Sequence, residues 1–410
     1  MKRNLLTSVQ VALRLGIEVR TVYAYVSRGV LSRTLAEDGR SSRFDPAEVD
    51  ALARRGRPRK GTTRVGGIDV SLATAITRVT PERLSYRGHD AVELARVASF
   101  EQVAELLWTG ELPAARASFA SFAAPADARK VLRALRQALP PASGPLDRFA
   151  AAAAATAPLV PLRVDLQPAA VRAQARRLIA TFVEALPRGS SRAVDGASIA
   201  ARLWPRLSPE APTAATIELL DAALVLLADH ELATSTMAAR VAASTRANPF
   251  AVVLAGLGAL NGPLHGSAAI ACHRLLLDAA ASSPEQSVAR ALATGPLAGF
   301  GHPVYRGDDP RAVHLLERAH AVASRKERAV AFGVLAAAVT VSGARPNVDF
   351  ALAVAAFVTR MPPGATEAIF ALARTAGWIA HALEEYGEPP LRFRARAIFV
   401  GPSVERAQQR

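Results

Sequence analysis

The chain has a single cysteine, Cys272, in 410 residues. An internal disulfide framework is excluded, and a reducing compartment is expected. Aromatics are only 5% of the residues. That shortage, beside segments dominated by alanine and leucine, favours helices. Long apolar runs are missing too. The longest, Ala329–Val341, is rich in small residues and too short to span a bilayer. Met1-Lys2-Arg3 leads into a polar-interrupted stretch without the apolar core of a signal peptide. Together these absences predict a soluble, cytoplasmic protein with no membrane contact. Metal-ligand spacing is also lacking. The eight histidines form no HExxH-like or paired pattern, so no metal is expected. Acids are outnumbered, with 35 Asp/Glu against 50 Lys/Arg and a formal charge of +15. The length allows two or three domains and a large core.

The positive charge is unevenly placed. Residues 1–64 hold 14 Lys/Arg against 6 Asp/Glu, a surplus of 8, which leaves +7 for the other 346 residues. A polyanion partner for this piece is one reading, and a solubilising basic face is the plainer one. Thr7 or Ser8 can cap a helix that buries Val9, Ala12 and Leu13. A second helix from Val19 to Ser27 turns Val22 and Val26 inward. Two short helices around a Gly-containing turn make a helix-turn-helix. The spacing resembles MerR-type regulators and excisionase-like modules. That resemblance implies possible DNA contacts from Arg20, Thr21, Tyr23 and Tyr25 on the exposed side of the second helix. Leu35–Asp45 reads as a polar hairpin ending in Arg43-Phe44, similar to the small wing of that family. Arg43 joins the DNA-binding candidates. Asp45 and Pro46 then cap and start another helix. The helix-turn-helix-like domain is assigned to 1–53. Residues 54–64 are a basic linker by composition. Within it Arg55–Lys60, RGRPRK, also resembles an AT-hook, but so short a motif leaves the linker reading ahead.

The remaining chain reads as helices. Val65–Ser71 is expected to be an extended lead-in, and Ala91–Arg96 a helix. Ser99 caps the next, whose stripe is Phe100, Val103, Ala104 and Leu107. Residues 114–212 read as alanine-rich scaffold helices. Thr213–Ala228 leads into Asp229-His230-Glu231. His265 follows a Gly-Pro turn and precedes a helix, Ala268–Leu277, whose N-terminus favours a neutral ring; a buried structural histidine is the alternative. In GFGHPVYRGDDPR, residues 299–311, glycines bring the backbone close to something and Pro303 stiffens the exit from His302. Arg306 and Arg311 suit carboxylate or phosphate oxygens. Alone, that stretch is either a binding loop or a surface turn. Asp349 opens the apolar stretch Phe350–Val358, where a helix N-cap is its plain role. Arg374 lies among apolar residues of a helix over Ala365–Tyr386.

Several long motifs then fall in one order. They are LSYRGHDAVELA and SFEQVAELLWTGELP early, ADHE at 228–231, LNGPLHG at 260–266 and GFGHPVYRGDDPRA at 299–312. PNVDF at 346–350, FALARTAGWIAHALEEY at 370–386 and RARAIFVGP at 394–402 follow. From Val65 onward, over about 345 residues, the chain resembles a citrate synthase. The resemblance implies an all-α fold with a large domain, 65–266 and 361–410, and a small domain, 267–360. It implies acetyl-CoA and oxaloacetate as substrates in the cleft between them, a homodimer or higher oligomer, and no cofactor. Asp349 matches the general base that takes a methyl proton from acetyl-CoA. His265 matches the group that stabilises the enol oxygen, and His302 the one that polarises the oxaloacetate ketone. His230, Arg311 and Arg374 match ligands of the oxaloacetate carboxylates, and Arg394 an arginine reaching across from a partner subunit. Arg306, Gly299 and Phe300 match the surroundings of CoA.

The chemistry asks for these residue types. A thioester methyl proton is weakly acidic, so a carboxylate base needs simultaneous stabilisation of the developing oxygen charge. Some positions depart from the family pattern. Ala233 stands where many relatives have Asn, Gly266-Ser267-Ala268-Ala269 replaces Gly-Gly-Ala-Asn, and Ala395 replaces Pro. No acid, base or carboxylate-binding arginine is lost. Two alternatives follow: a 2-methylcitrate synthase using propionyl-CoA, or a DNA-binding regulator with a citrate synthase-like sensor body.

Overall fold

The computed structural model describes residues 5–15, 17–27, 30–36, 41–54, 71–114, 119–189, 198–262 and 265–394. The basic linker and its AT-hook-like run, the lead-in as far as 70, Pro263-Leu264 of LNGPLHG and the tail from Ala395 lie outside them. The chain divides into two units, Met1–Leu72 and Ala73–Arg410.

In the first unit, Thr7 ends a two-residue strand, β1 (Leu6–Thr7), and caps α1 (Ser8–Leu15). The cap is reciprocal: Gln10 N donates to Thr7 Oγ1 at 3.2 Å and Thr7 N to Gln10 Oε1 at 2.8 Å. Helix α2 (Val19–Ser27) has the expected bounds. Strands β2 (Thr34–Leu35) and β3 (Ser42–Phe44) pair antiparallel, and β1 adds to the other edge of β3. Helix α3 (Pro46–Arg54) starts as expected, with Ala47 N donating to Asp45 Oδ1 at 2.9 Å. Val11, Val22, Leu31, Phe44 and Val49 form the core. Two expectations are corrected. Val9 is 57% exposed, and Val11 takes the inward place beside Ala12. Tyr25 is buried, because it lies three residues after Val22 and so shares its face. The side chain of Leu13 is outside the described set.

The second unit opens with a sheet that the all-α expectation omitted: β4 (Thr77–Val79), β5 (Leu84–Tyr86) and β6 (His89–Asp90). Arg87 and Gly88, at φ 49° and 88°, form the two-residue turn between β5 and β6. Helices follow: α4 (Ala91–Val97), α5 (Phe100–Thr109), α6 (Ala126–Ala138), α7 (Pro145–Thr156), α8 (Pro168–Ala185) and α9 (Ile199–Leu207). Next come α10 (Ala214–Leu227), α11 (Thr234–Ser244), α12 (Pro249–Leu260), α13 (Ala268–Ala281) and α14 (Pro284–Thr294). The last are α15 (Pro310–Val322), α16 (Arg325–Ser342), α17 (Val348–Val358) and α18 (Gly364–Tyr386). Ser99 caps α5 with Gln102 in a capping box, but α5 is buried from Phe100 to Trp108 rather than along one stripe. Helices α10, α12 and α17 are apolar nearly all round, the signature of helices enclosed by others. Helix α18 is buried along most of its length yet carries Arg374, His381 and Glu385 inward. Buried charges need partners, and α18 therefore leads to the site. Among the described residues no helix is long and apolar enough to cross a membrane.

Candidate active site

The loop 299–305 is zipped to the residues preceding α17. Phe300 bridges Pro346, Gly301 N donates to Arg345 O at 2.7 Å, and Asn347 N donates to Gly299 O at 2.9 Å. Asn347 Nδ2 closes the zip on Gly301 O at 2.9 Å. Gly299 has φ 79°, and a Cβ there would collide with Cys272 Sγ and the Phe350 backbone and Cβ. Only glycine meets both demands. Asn347 Oδ1 accepts from Asp349 N at 2.9 Å and caps α17. The cap is therefore Asn347, two residues before the position expected from sequence, and Asp349 is released from capping. Burial pushes the Asp349 carboxyl up, Asp309 adds to that, and Arg311 and Arg374 oppose it.

Asp309 organises the other wall. Its Oδ1 accepts from Arg311 N (3.0 Å) and Nε (2.9 Å), and its Oδ2 from Arg311 Nη2 (2.8 Å) and Val348 N (3.1 Å). One carboxylate thus caps α15, holds the first turn of α17 and fixes a buried guanidinium bidentately. Arg311 Nη2 stands 3.5 Å from His302 Nε2. His302 Nδ1 accepts from Val304 N (3.1 Å) and Tyr305 N (3.3 Å). A ring nitrogen that accepts from two amides carries no proton, so the neutral ring holds its proton on Nε2. Two donors, His302 Nε2–H and Arg311 Nη2, therefore converge, with no protein acceptor between them among the described residues. Burial first, and Arg311 second, lower the His302 pKa and keep the ring neutral.

His230 completes this side. Its Nε2 is 3.2 Å from the Tyr305 hydroxyl, and its ring meets His302 edge-on at 5.3 Å between centroids. Burial, then Arg311 and Arg374, hold its pKa well below the usual histidine value. Arg374 is buried, donates Nε to Leu227 O at 3.0 Å and lies 4.7 Å from the Phe370 ring centre. Phe370 in turn meets the His265 ring edge-on at 6.3 Å. His265 Nε2 lies 2.8 Å from Ser235 Oγ and accepts from Ser235 N at 3.4 Å, which places the ring proton on Nδ1. Burial first, and Arg374 second, lower the pKa of His265.

Asp349, His302, Arg311, His230, Arg374 and His265 are thus linked by contact or charge in one cluster. Tyr305, Asp309, Asn347, Ser235 and Phe370 belong to it and escaped the sequence reading. Asp309-Pro310 carried a helix-start signal that could have flagged the first of the helix caps. Arg306 and Arg394 are exposed, and no described contact joins either to the cluster. In the first unit Arg20 is exposed and paired with Glu18, while Tyr23 is 47% exposed with its hydroxyl 3.2 Å from Ser8 Oγ. Thr21 and Arg43 are half-buried.

A family model described as citrate synthase, C-terminal domain, matches residues 67–396. The chain belongs to the citrate synthase family. A 2-methylcitrate synthase of Mycobacterium tuberculosis is 32% identical over 332 residues, 76% of this chain and 84% of that protein. A citrate synthase of Haloferax volcanii is 33% identical over 344 residues, covering 78% and 90%. Among solved structures, the Thermoplasma acidophilum citrate synthase, in ternary complex with carboxymethyl coenzyme A and oxaloacetate, matches with TM-score 0.68 and 26% identity, covering 82% of this chain and 95% of its own. The Pyrobaculum aerophilum citrate synthase matches with TM-score 0.69 and 25% identity, covering 92% and 97%.

Proposed function

We propose that this citrate synthase condenses acetyl-CoA with oxaloacetate and water to give citrate and CoA, with Asp349, His265 and His302 as catalytic residues. The observation that carries this reading is the pair of opposed settings in one cluster: a carboxylate relieved of capping, and neutral histidines each with one ring proton assigned by its partners. Asp349 removes a methyl proton from the thioester. His265 Nδ1–H donates to the carbonyl oxygen as charge develops on it, stabilising an enol without a second full charge. The enol carbon attacks the oxaloacetate ketone, polarised by His302 Nε2–H, and the product hydroxyl takes up in net the proton that Asp349 removed. Arg311, Arg374 and His230 take the carboxylates, and Arg394 of a second copy completes the set in a homodimer. Arg306 and the backbone at Gly299 and Phe300 border CoA. Hydrolysis of the citryl thioester then consumes water and releases the thiol. Closure of a small domain, 267–360, on a large one would keep water from the thioester before condensation.

The test is thiol release with oxaloacetate and acetyl-CoA, run beside propionyl-CoA. Release with acetyl-CoA supports the reading, faster turnover of propionyl-CoA would shift it to 2-methylcitrate synthesis, and no release with either would overturn it.

A second reading concerns the first unit. Its basic surplus, together with exposed Arg20 on α2 and half-buried Arg43 on β3, supports winged helix-turn-helix-type DNA binding by residues 1–64 through Arg20, Thr21, Tyr23 and Arg43. Tyr25 supports the core instead. Full-length protein should bind duplex DNA with an affinity that falls steeply with salt. Binding that ignores salt, or is absent at low salt, would remove this reading.

A further inference from the structure

A chain of buried and half-buried charges behind the substrate-binding side chains has no part in the reaction steps above. It starts at Arg392, which grips Glu385 with Nε to Oε1 at 2.7 Å and Nη2 to Oε2 at 2.6 Å. Glu385 is fully buried and also accepts from Arg240 Nε at 3.2 Å. Arg240 is itself buried, and its Nη1 reaches both Glu384 Oε2 at 2.9 Å and His381 Nδ1 at 2.8 Å. Glu384 is tied back to Ala75 N at 2.8 Å. The other ring nitrogen of His381, Nε2, lies 3.3 Å from Asp229 Oδ2. His381 and Asp229 are both fully enclosed.

The partners decide the tautomer of His381. A guanidinium can only donate, so Nδ1 must accept, and the proton of the neutral ring sits on Nε2, aimed at Asp229. Asp229 Oδ2 also accepts from Glu231 N at 3.1 Å. That bond closes a tight turn around His230, and Glu231 sits at φ 52°, a left-handed conformation that a non-glycine residue adopts only under constraint. On its other side Asp229 presses on Gly377 of α18, where any Cβ would strike Oδ1, and Gly377 N donates to Ala228 O at 3.1 Å. The 228–231 corner is thereby locked to α18 three residues beyond Arg374.

We propose that His381 is a positioning residue for the oxaloacetate side of the site: by bridging Arg240 to Asp229 it holds the turn that presents His230 and the register of the corner against Arg374. This rests on the assignment of His230 and Arg374 to the substrate carboxylates. The attraction of Asp229 for Arg374 also offsets the burial that disfavours the charged guanidinium. The bridge needs a group that accepts at one end and donates at the other. Glutamine can do both, with Oε1 toward Arg240 and Nε2 toward Asp229. Leucine can do neither, and asparagine is too short to span the two.

The experiment compares His381→Gln, His381→Asn and His381→Leu in the full-length protein. The KM of each substrate is measured, and oxaloacetate binding is followed by calorimetry without acyl-CoA. The Asn and Leu variants should raise the oxaloacetate KM and Kd about tenfold or more, the scale of losing a hydrogen bond to a charged group. The acetyl-CoA KM should change less than about threefold, and Gln should restore oxaloacetate binding. Equal weakening of both substrates, an unchanged oxaloacetate Kd, or failure of Gln to restore binding would overturn the positioning role. Should Leu fail to fold, Asn carries the same comparison. A wild type that binds oxaloacetate but never releases thiol would count against the reaction assignment alone, because the binding measurement still tests His381.

Discussion

Asp349 and the histidines around it are pushed in opposite directions by the same burial. A buried carboxyl resists ionisation, and a buried imidazole resists protonation. As pH falls, activity should therefore fail when Asp349 takes up its proton, at a value above the ordinary carboxylate range. The histidines are shifted the other way, below the ordinary histidine value. A kcat/KM profile from acid to neutral pH checks this, and a limb at an ordinary aspartate value would contradict it. Asp349→Asn should cost about 10²–10⁴ in turnover, the range for a lost acid–base group. The same substitution should raise the melting temperature at neutral pH. The folded chain binds the Asp349 proton more tightly than the unfolded chain does. That contribution is present below about pH 3.9, the unfolded value, and is lost as pH rises through the shifted one. At neutrality the ionised, half-buried Asp349 costs stability, and asparagine removes the cost. Melting curves for both proteins at two pH values decide it. Gly299→Ala offers the contrast of a residue chosen for space: its clash and positive φ should destabilise the fold by about 1–3 kcal/mol, read from denaturant unfolding.

At the scale of elements, the site is made by helix ends. Asp309 caps α15 and reaches the first turn of α17, so Arg311 on one helix and the backbone of Val348, the neighbour of Asp349, on the other share a carboxylate. Asp309→Asn should unfold more readily by about 3–5 kcal/mol, because it leaves the buried Arg311 without its counter-charge. Arg311→Ala measured beside the double variant tests this: the second change should cost far less than it does alone if the pair is the cause. Much of this level was legible in sequence. Asp45-Pro46, the Ser99 cap and the bounds of α2 followed from capping and spacing rules. The cap of α17 was not, because Asn347 and Asp349 are both good caps, and the choice between them is made by the zip of 299–301 against 345–347. Tyr25 was legible in principle, since its spacing from Val22 puts it inside.

For the whole molecule, one scaffold could serve two closely related acyl groups. A pocket distinguishes one methylene by about 10–200-fold at most without a hydrogen bond to read. The ratio of kcat/KM for acetyl-CoA and propionyl-CoA should stay within about 200-fold, and competition between the two thioesters in one assay measures it directly. A larger ratio would mean that shape alone is not the discriminator. The first unit enters at this scale through its charge. Arg20→Ala and Arg43→Ala should lower DNA affinity and flatten its salt dependence, while thiol release stays unchanged.

The sequence by itself determined the family and most of the helices, and it singled out the acid, the histidines and the arginines that the structure brings into one cluster, because local rules and long ordered motifs act along the chain. It also determined the charge imbalance of the first 64 residues. Only the tertiary structure decided the protonation pattern. The ring protons of His265, His302 and His381 are set by amides and a guanidinium that arrive from other turns and other helices. Likewise, the link from Arg392 through Arg240 to Asp229 joins α11, α18 and the 228–231 corner across more than 140 positions of chain. No periodicity records such a link, because its bonds form only once the helices have packed.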